Sequence, residues 1–310
     1  MTESTSARPS ELRLYGAFSA CGLIWGSTFL AISIGNDTVP PMWAAGLRLA
    51  LAAPLLVLIG VVTRQPRPRG AALRAAMGYG VCNLGIGLPM LYWAEKKVPS
   101  GLASVIYATV PLTSMLLTRA FGLERITWIK VAAAVVGLVG VAVIFSGELG
   151  GGVPAGPLLA VFLSTVSASL GTVLLKRGPP QSPISSNAVA TAVGCVLCVL
   201  ASVLAGERHA LPRTFAELFP IVYLTVAGSI GAYVFLSWLV NYWDVTRISF
   251  VSLIVPIVAV GLGSLVRHER LSGQAILGSL LVLAGVLLRI QGDRDRAPST
   301  ELPATPARSP

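Results

Sequence analysis

Apolar residues in this chain do not alternate with polar ones. They run on in long, nearly uninterrupted blocks and stop at proline, glycine or clustered charge. Ten such blocks can be read, at about 14–34, 42–63, 73–93, 99–119, 127–146, 155–176, 185–206, 217–239, 246–267 and 271–290. A helix needs about 20 apolar residues to cross the hydrocarbon core of a bilayer. A membrane strand needs about 10, with apolar and polar positions alternating. The blocks have the helical length and are apolar on all sides, so the expected fold is an all-α integral membrane protein with ten transmembrane helices. The third and fourth blocks meet at "EKKVPSG" and the ninth and tenth at "RHERLSG", which read as tight turns. Residues 1–13 and 291–310 read as solvated tails. The second of these, rich in Pro and charge, lacks the apolar content for a core.

Composition strengthens this picture. Of 310 residues, 54% are hydrophobic and 12% charged, and mean hydropathy is +0.77. A soluble domain carries roughly 25% charged residues. The formal charge of +10 does not point to nucleic acid, because the basic residues sit in short gaps between blocks and at the ends. With both termini on one side, sixteen Lys and Arg fall on that side and six on the other, Arg48 set apart. The bias predicts cytoplasmic termini in a multi-pass protein of a bacterial-type inner (plasma) membrane. Cys21, Cys82, Cys195 and Cys198 all lie inside apolar blocks and read as small hydrophobes. Cys195-x-x-Cys198 has no second pair or nearby His, so no metal or other cofactor is expected. Asn36–Thr38 matches a glycosylation sequon, a pattern frequent by chance.

The chain also repeats itself. "WAEKKVPSGLASVIYATVP" aligns without a gap on "WLVNYWDVTRISFVSLIVP" at an offset of 145 residues. Trp93 then meets Trp238, Pro111 meets Pro256, Glu124 meets Glu269, Arg125 meets Arg270 and Gly140 meets Gly285. Extended backward, Gly26 meets Gly171 and Ser27 meets Thr172. The offset divides ten helices into two sets of five, 14–146 and 155–290. Five crossings return the chain to the opposite side, so the expected architecture is two inverted five-helix repeats. This is an arrangement of secondary transporters with a midplane site.

The "LIWGSTFLAIS" of the first block, the arginine inside the second, and "VPSGLASVIYATVPLTSMLLTRAFGLERITWIKVAAAVVGLVGVAVIF" resemble the EamA-like family of the drug/metabolite transporter superfamily. A weaker copy is "ISFVSLIVPIVAVGLGSLVRHERLSGQAILGSLLVLAGVLLRI". The resemblance covers about residues 14–290. It implies a ten-helix carrier, monomer or homodimer, that moves small metabolites or drugs, often outward, through a central cavity. In this family the third, fourth, eighth and ninth spans chiefly line that cavity.

The candidate substrate-binding residues follow. Arg48 stands alone in "MWAAGLRLALAAPLLVLIGVV", where a guanidinium at the centre of a lipid-facing helix costs at least about 2.5–3.5 kcal/mol. Its place about two turns from the outer end lowers that cost by snorkelling. Its repeat counterpart is Val193, so it stands outside the symmetric scaffold. Two roles remain open: holding backbone carbonyls or Glu95, or meeting an anionic group in the cavity. Tyr79 and Asn83 lie four apart in the glycine-rich third block, and Pro89 weakens that helix further. Ser229, Tyr233 and Ser237 recur every four residues in the eighth block. Ser104 and Tyr107 precede Pro111, as Ser249 and Ser252 precede Pro256. Tyr107, Ser229, Tyr233, Ser252 and the repeat tryptophan Trp238 complete the set. Each hydroxyl also has the alternative of bonding its own helix backbone.

None of the thirteen acids falls near the middle of a block, which disfavours a proton antiport built on a membrane-embedded carboxylate. Glu124 and Glu269 read as caps for the next helix or partners of nearby bases. His209 and His268 sit in outer turns and no acid/base pair or metal cluster lies within the blocks, so an enzyme is not expected. A receptor or scaffold is not expected either, because the tails are short. The function expected is secondary transport of a small amino-acid-like or drug-like solute by alternating access, outward by resemblance. The alternative is uptake of a sugar, nucleoside or phosphorylated metabolite. The partners are that solute and the lipid bilayer.

Overall fold

A computed structural model describes residues 9–144, 146, 153–267 and 273–294. Most of both tails, and Glu269 and Arg270 in the last turn, lie outside the described residues. All regular structure among the described residues is helical. The chain runs α1 (Glu11–Asn36), α2 (Pro41–Val62), α3 (Ala71–Tyr79), a π-helical segment (Gly80–Gly87) and α4 (Leu88–Ala94). It continues through α5 (Ser100–Tyr107), α6 (Val110–Ala120), α7 (Trp128–Ile144), α8 (Ala155–Arg177) and α9 (Pro183–Leu204). Then follow α10 (Phe215–Tyr223), a second π segment (Leu224–Ala232), α11 (Tyr233–Tyr242), α12 (Val245–Ser249), α13 (Val251–Arg267) and α14 (Gly273–Arg294).

Helix therefore occupies every apolar block. Six helices are long and apolar enough to cross a membrane by length and composition: Glu11–Asn36, Pro41–Val62, Leu102–Ala120, Ala155–Arg177, Pro183–Leu204 and Phe215–Tyr242. Trp128–Ile144, Val245–Val258 and Ile276–Gln291 are shorter apolar helices. The rod 71–94 is diluted by four glycines, Asn83 and two tyrosines, and is not among the six. Apolar side chains cover the outside: Leu58, Val62, Leu116 and Leu204 are among the most exposed. Such a surface is at rest only in lipid.

The ends are tied by side chains. Proline occupies the first position of α2 and α9, where its missing N–H costs nothing. The Glu207 carboxylate accepts from the N–H groups of Met42 (3.2 Å) and Trp43 (2.8 Å), a negative charge on the positive end of α2. Trp43 Nε1 returns a bond to Ala210 O at 2.8 Å, so the 205–214 connection is stapled across α2. On the other side of the bundle Glu124 accepts from Lys130 Nζ (2.7 Å) and from Thr246 N (3.1 Å). It pairs with a base, as expected, but the helix it caps is the distant α12. Burial favours the protonated carboxyl, yet the bonds from Lys130 and Thr246 outweigh it and hold Glu124 below the usual carboxylate range.

The packing crosses between the two halves of the chain. α7 lies along α14, α2 along α9, and α1 against α11, α13 and the second π segment. α8 in turn packs on α3, α4, α6 and the first π segment. The α7–α14 seam is built on glycine. A Cβ on Gly140 would lie 2.7 Å from Gly278 O, and one on Gly278 would lie 2.5 Å from Gly140 O. Membrane helices gain little from hydrophobic burial against each other, so close backbone approach through small residues is what joins them.

Gly140→Leu should therefore force the seam apart. The expected cost is about 1–3 kcal/mol, read as a lowered melting temperature in detergent, while Val139→Leu on the exposed face of the same helix should melt like the parent.

Candidate functional site

Two rods fail to stay α-helical at corresponding places, and the reason is local. In the first, "GVCNLGIG" is followed by Pro89. The ladder has already widened to i→i−5 there, since Leu88 N donates to Asn83 O. The next donor would serve Leu84 O, and proline has none. A carbonyl left bare inside a membrane protein must be satisfied by something else. Cys198 Sγ donates to Leu84 O at 3.2 Å, Ser167 Oγ to Cys82 O at 2.7 Å and Ser164 Oγ to Gly87 O at 2.7 Å. At the second break, Cys21 Sγ donates to Ala232 O (3.4 Å) and Asn187 Nδ2 to Tyr233 O (3.0 Å). Three of the four cysteines, Cys195 through Gly46 O at 3.7 Å among them, thus join neighbouring helices through backbone carbonyls.

Between these rods lies a cavity of about 120 Å³. Its wall takes Trp25 and Phe29 from α1, Arg48 from α2, Asn83 from the first π segment, and Tyr107 and Ser114 from α5 and α6. From the second half come Ser169 and Thr172 of α8, Tyr233 and Leu236 of α11, and Ser249 and Ser252 of α12 and α13. The rest of the wall is largely apolar. The arrangement is that of a small-molecule site: mostly hydrophobic, with a few fixed polar groups.

Arg48 is 1% exposed. Its Nε donates to Ser229 Oγ (2.9 Å) and its Nη1 to Tyr92 OH (3.0 Å), while Thr225 Oγ1 donates to the Arg48 carbonyl at 3.2 Å. The guanidinium therefore ties α2 to α4 and to the second π segment. A Cβ on Gly228 would come within 2.8 Å of Nη2, so glycine makes the room the charge occupies. Arg48 makes no ion pair with Glu95; among the described residues its guanidinium bonds only the hydroxyls of Ser229 and Tyr92.

The sequence-predicted residues separate into groups. Arg48, Asn83, Tyr107, Tyr233 and Ser252 stand on the cavity wall. Tyr107 OH meets Ser164 Oγ at 2.6 Å and its ring stands edge-on to Phe29 at 5.4 Å. Ser252 gives its hydroxyl hydrogen to Ser249 O at 2.9 Å, the backbone alternative. Ser229 stands behind the wall, holding Arg48. Tyr79 is fully buried beside Tyr233, ring centroids 6.5 Å apart, and is not on the wall. Trp238 packs edge-on to Tyr242 at 5.5 Å, also away from the wall. Sequence reasoning passed over α1 and α8, which supply Trp25, Phe29, Ser169 and Thr172. The signal was present in the repeat, where Gly26 and Ser27 align with Gly171 and Thr172.

Glu95 follows the last turn of α4 at the start of the "EKKVPSG" turn. It is 7% exposed, and neither carboxylate oxygen has a hydrogen-bond partner among the described residues. Burial pushes this carboxyl well above the usual range.

The model of the EamA-like transporter family matches residues 14–146 and again 156–290. The chain is 33% identical over 285 residues to the "Uncharacterized inner membrane transporter YedA" of Escherichia coli K12, covering 89% of this chain and 90% of the relative. It is 28% identical over 289 residues to a "Probable amino-acid metabolite efflux pump" of the same strain, covering 88% and 93%. A solved crystal structure superposes with a TM-score of 0.73 at 20% identity, over 93% of this chain and 100% of that one, which speaks for the fold alone.

The buried Glu95 gives a pH signature. Its folded value is raised, so its contribution to stability is full below the unfolded carboxylate value of about 4.3 and is lost as pH rises toward the folded value. Melting of the parent should fall from pH 4 to pH 8, by comparison with Glu95→Gln, which should match it at the acid end and exceed it at the alkaline end; parallel curves would contradict this.

Proposed function

The chain belongs to the EamA-like transporter family, and on that premise we propose that it is a secondary carrier exporting a small, carboxylate-bearing, amino-acid-like metabolite by alternating access. The observation that carries the reading is the cavity itself. Both halves of the chain wall it, and on its surface lies a buried guanidinium whose bonded partners are neutral hydroxyls. A carboxylate supplies the counter-charge that Arg48 lacks among the described residues and accepts in the planar geometry a guanidinium offers. The aromatic rings of Trp25, Phe29, Tyr107 and Tyr233 suit the apolar remainder of such a solute. The relatives named as amino-acid metabolite efflux pumps support both the class and the outward direction.

The working parts in this reading are two inverted five-helix halves, 14–146 and 155–290, with all ten helices crossing the bilayer. Several observations support it beyond the sequence repeat. The π segments end at Gly87 and Ala232, one repeat offset apart. The carbonyls of those two residues accept from Ser164 on α8 and Cys21 on α1, so the first helix of each half mends the break in the other. The excess of Lys and Arg on the side of the termini supports a cytoplasmic placement for both ends. Phosphorylated cargo is disfavoured. Lys176 spends its ammonium on the Val240 and Trp243 carbonyls (2.8 and 3.0 Å), and Arg177 stacks over the Phe121 ring at 5.0 Å. Arg48 is the one Lys or Arg among the described residues of the wall.

Counterflow in proteoliposomes with a panel of labelled amino acids and their carboxamides tests the reading. Saturable exchange of at least one acid is expected, with its carboxamide excluded. Arg48→Gln should lower that exchange by roughly tenfold or more, the worth of a charge-assisted bond, and Leu58→Ala on the lipid face should not. Exchange indifferent to the carboxylate, or undiminished in Arg48→Gln, would sink the carboxylate assignment, and a well-folded protein without any exchange would sink the carrier.

A further inference from the structure

A second cavity, about 490 Å³ in volume, opens where the end of α2 meets the start of α9. It has nothing in common with the central site. Its walls are Leu56, Val57 and Val61 of α2 and Ser185, Ala188 and Val189 of α9, and Arg64 and Arg67 of the connection after α2 also line it. Val57 and Val61 are 53% and 57% exposed, so one wall continues the lipid-facing surface of the helix. The opposite end is cationic.

The two arginines are exposed and are not neutralised. Neither side chain enters a hydrogen bond or an ion pair among the described residues. The connection itself is fixed: Gln65 N donates to Gly60 O at 2.8 Å, and Ser182 Oγ donates to Gln65 Oε1 at 2.8 Å. The backbone adds an independent mark. Arg64 follows the Thr63 cap of α2 and has φ +54°, the one non-glycine residue with positive φ among those described. Glycine is the ordinary occupant of that position, because a side chain is strained there. A strained residue kept where glycine is free points to a use for its side chain.

We propose that this cavity binds one anionic glycerophospholipid from the adjoining leaflet, its phosphate on Arg64 and Arg67 and an acyl chain along Val57 and Val61. Guanidinium forks match phosphate oxygens. Basic pockets between membrane helices are suited to anionic head groups, and here the polar and apolar ends lie in the order a lipid presents them. The site rests on the chain spanning a membrane and not on what it transports.

The full chain is reconstituted into bilayers of phosphatidylcholine and phosphatidylglycerol, re-extracted in mild detergent, and its retained phospholipid counted by native mass spectrometry. Phosphatidylglycerol should be retained over phosphatidylcholine. Arg64→Gly and Arg67→Gln should each lower its retention by about fivefold, the value of one basic residue at a membrane surface. Arg69→Gln, which removes the same charge from the same connection outside the cavity, should not. Arg64→Gly relieves the backbone, so its melting temperature should not drop, and lipid loss cannot then come from unfolding. Equal retention of the two lipids, undiminished retention in both variants, or an equal drop in Arg69→Gln would each overturn the site. So would stabilisation of the lipid-free protein by inorganic phosphate to the level given by phosphatidylglycerol, since the ligand would then be a soluble anion.

Discussion

Everything in this molecule answers to one constraint: within hydrocarbon, a backbone N–H or C=O has no water to turn to. An uninterrupted helix satisfies it automatically, which is why the chain is helical wherever it is apolar. The cavity exists because two rods depart from that solution, and the departures are survivable because hydroxyl, thiol and amide groups from neighbouring helices take over the freed carbonyls. The same bonds that repair the breaks hold the cavity walls together. Structure and site are therefore one set of interactions seen from two sides.

Arg48 obeys the same rule in its charged form. A guanidinium that cannot shed its proton must be bonded wherever it is buried. It is bonded here by Ser229 and Tyr92, which come from different halves of the chain. The residue on the cavity wall is thus also a strut, and its partners are hydroxyls instead of the backbone carbonyls or Glu95 expected from the sequence.

The order of helices was legible because hydrophobic run length is a direct consequence of bilayer thickness. The expectation of two repeated halves came from Trp and Glu, which are scarce enough for a shared register to stand out. Five of eight predicted site residues lie on one wall, since polar atoms in apolar helices have few tolerable destinations. What could not be read was which of two buried destinations a polar group takes. Tyr79 packs toward Tyr233 and Trp238 toward Tyr242 of its own helix, and neither lines the cavity. Nor could the fate of Glu95 be read. It looked like a turn residue beside two lysines, and only the tertiary packing encloses it. Glu124 looked like a local cap, and its second partner lies 122 residues away.

The glycine seam between α7 and α14 bears on how such a chain can diverge. Gly140 and Gly278 exclude even a methyl from each other's side, so a larger residue at one cannot be compensated by a smaller one at the other. The seam has no slack to trade. Sequence drift is then channelled to the outward faces of the same helices, where Val135, Val139, Leu280 and Leu287 are exposed and one aliphatic residue substitutes for another at little cost. Two helices in continuous contact should thus age at two rates, nearly frozen along one edge and free along the other.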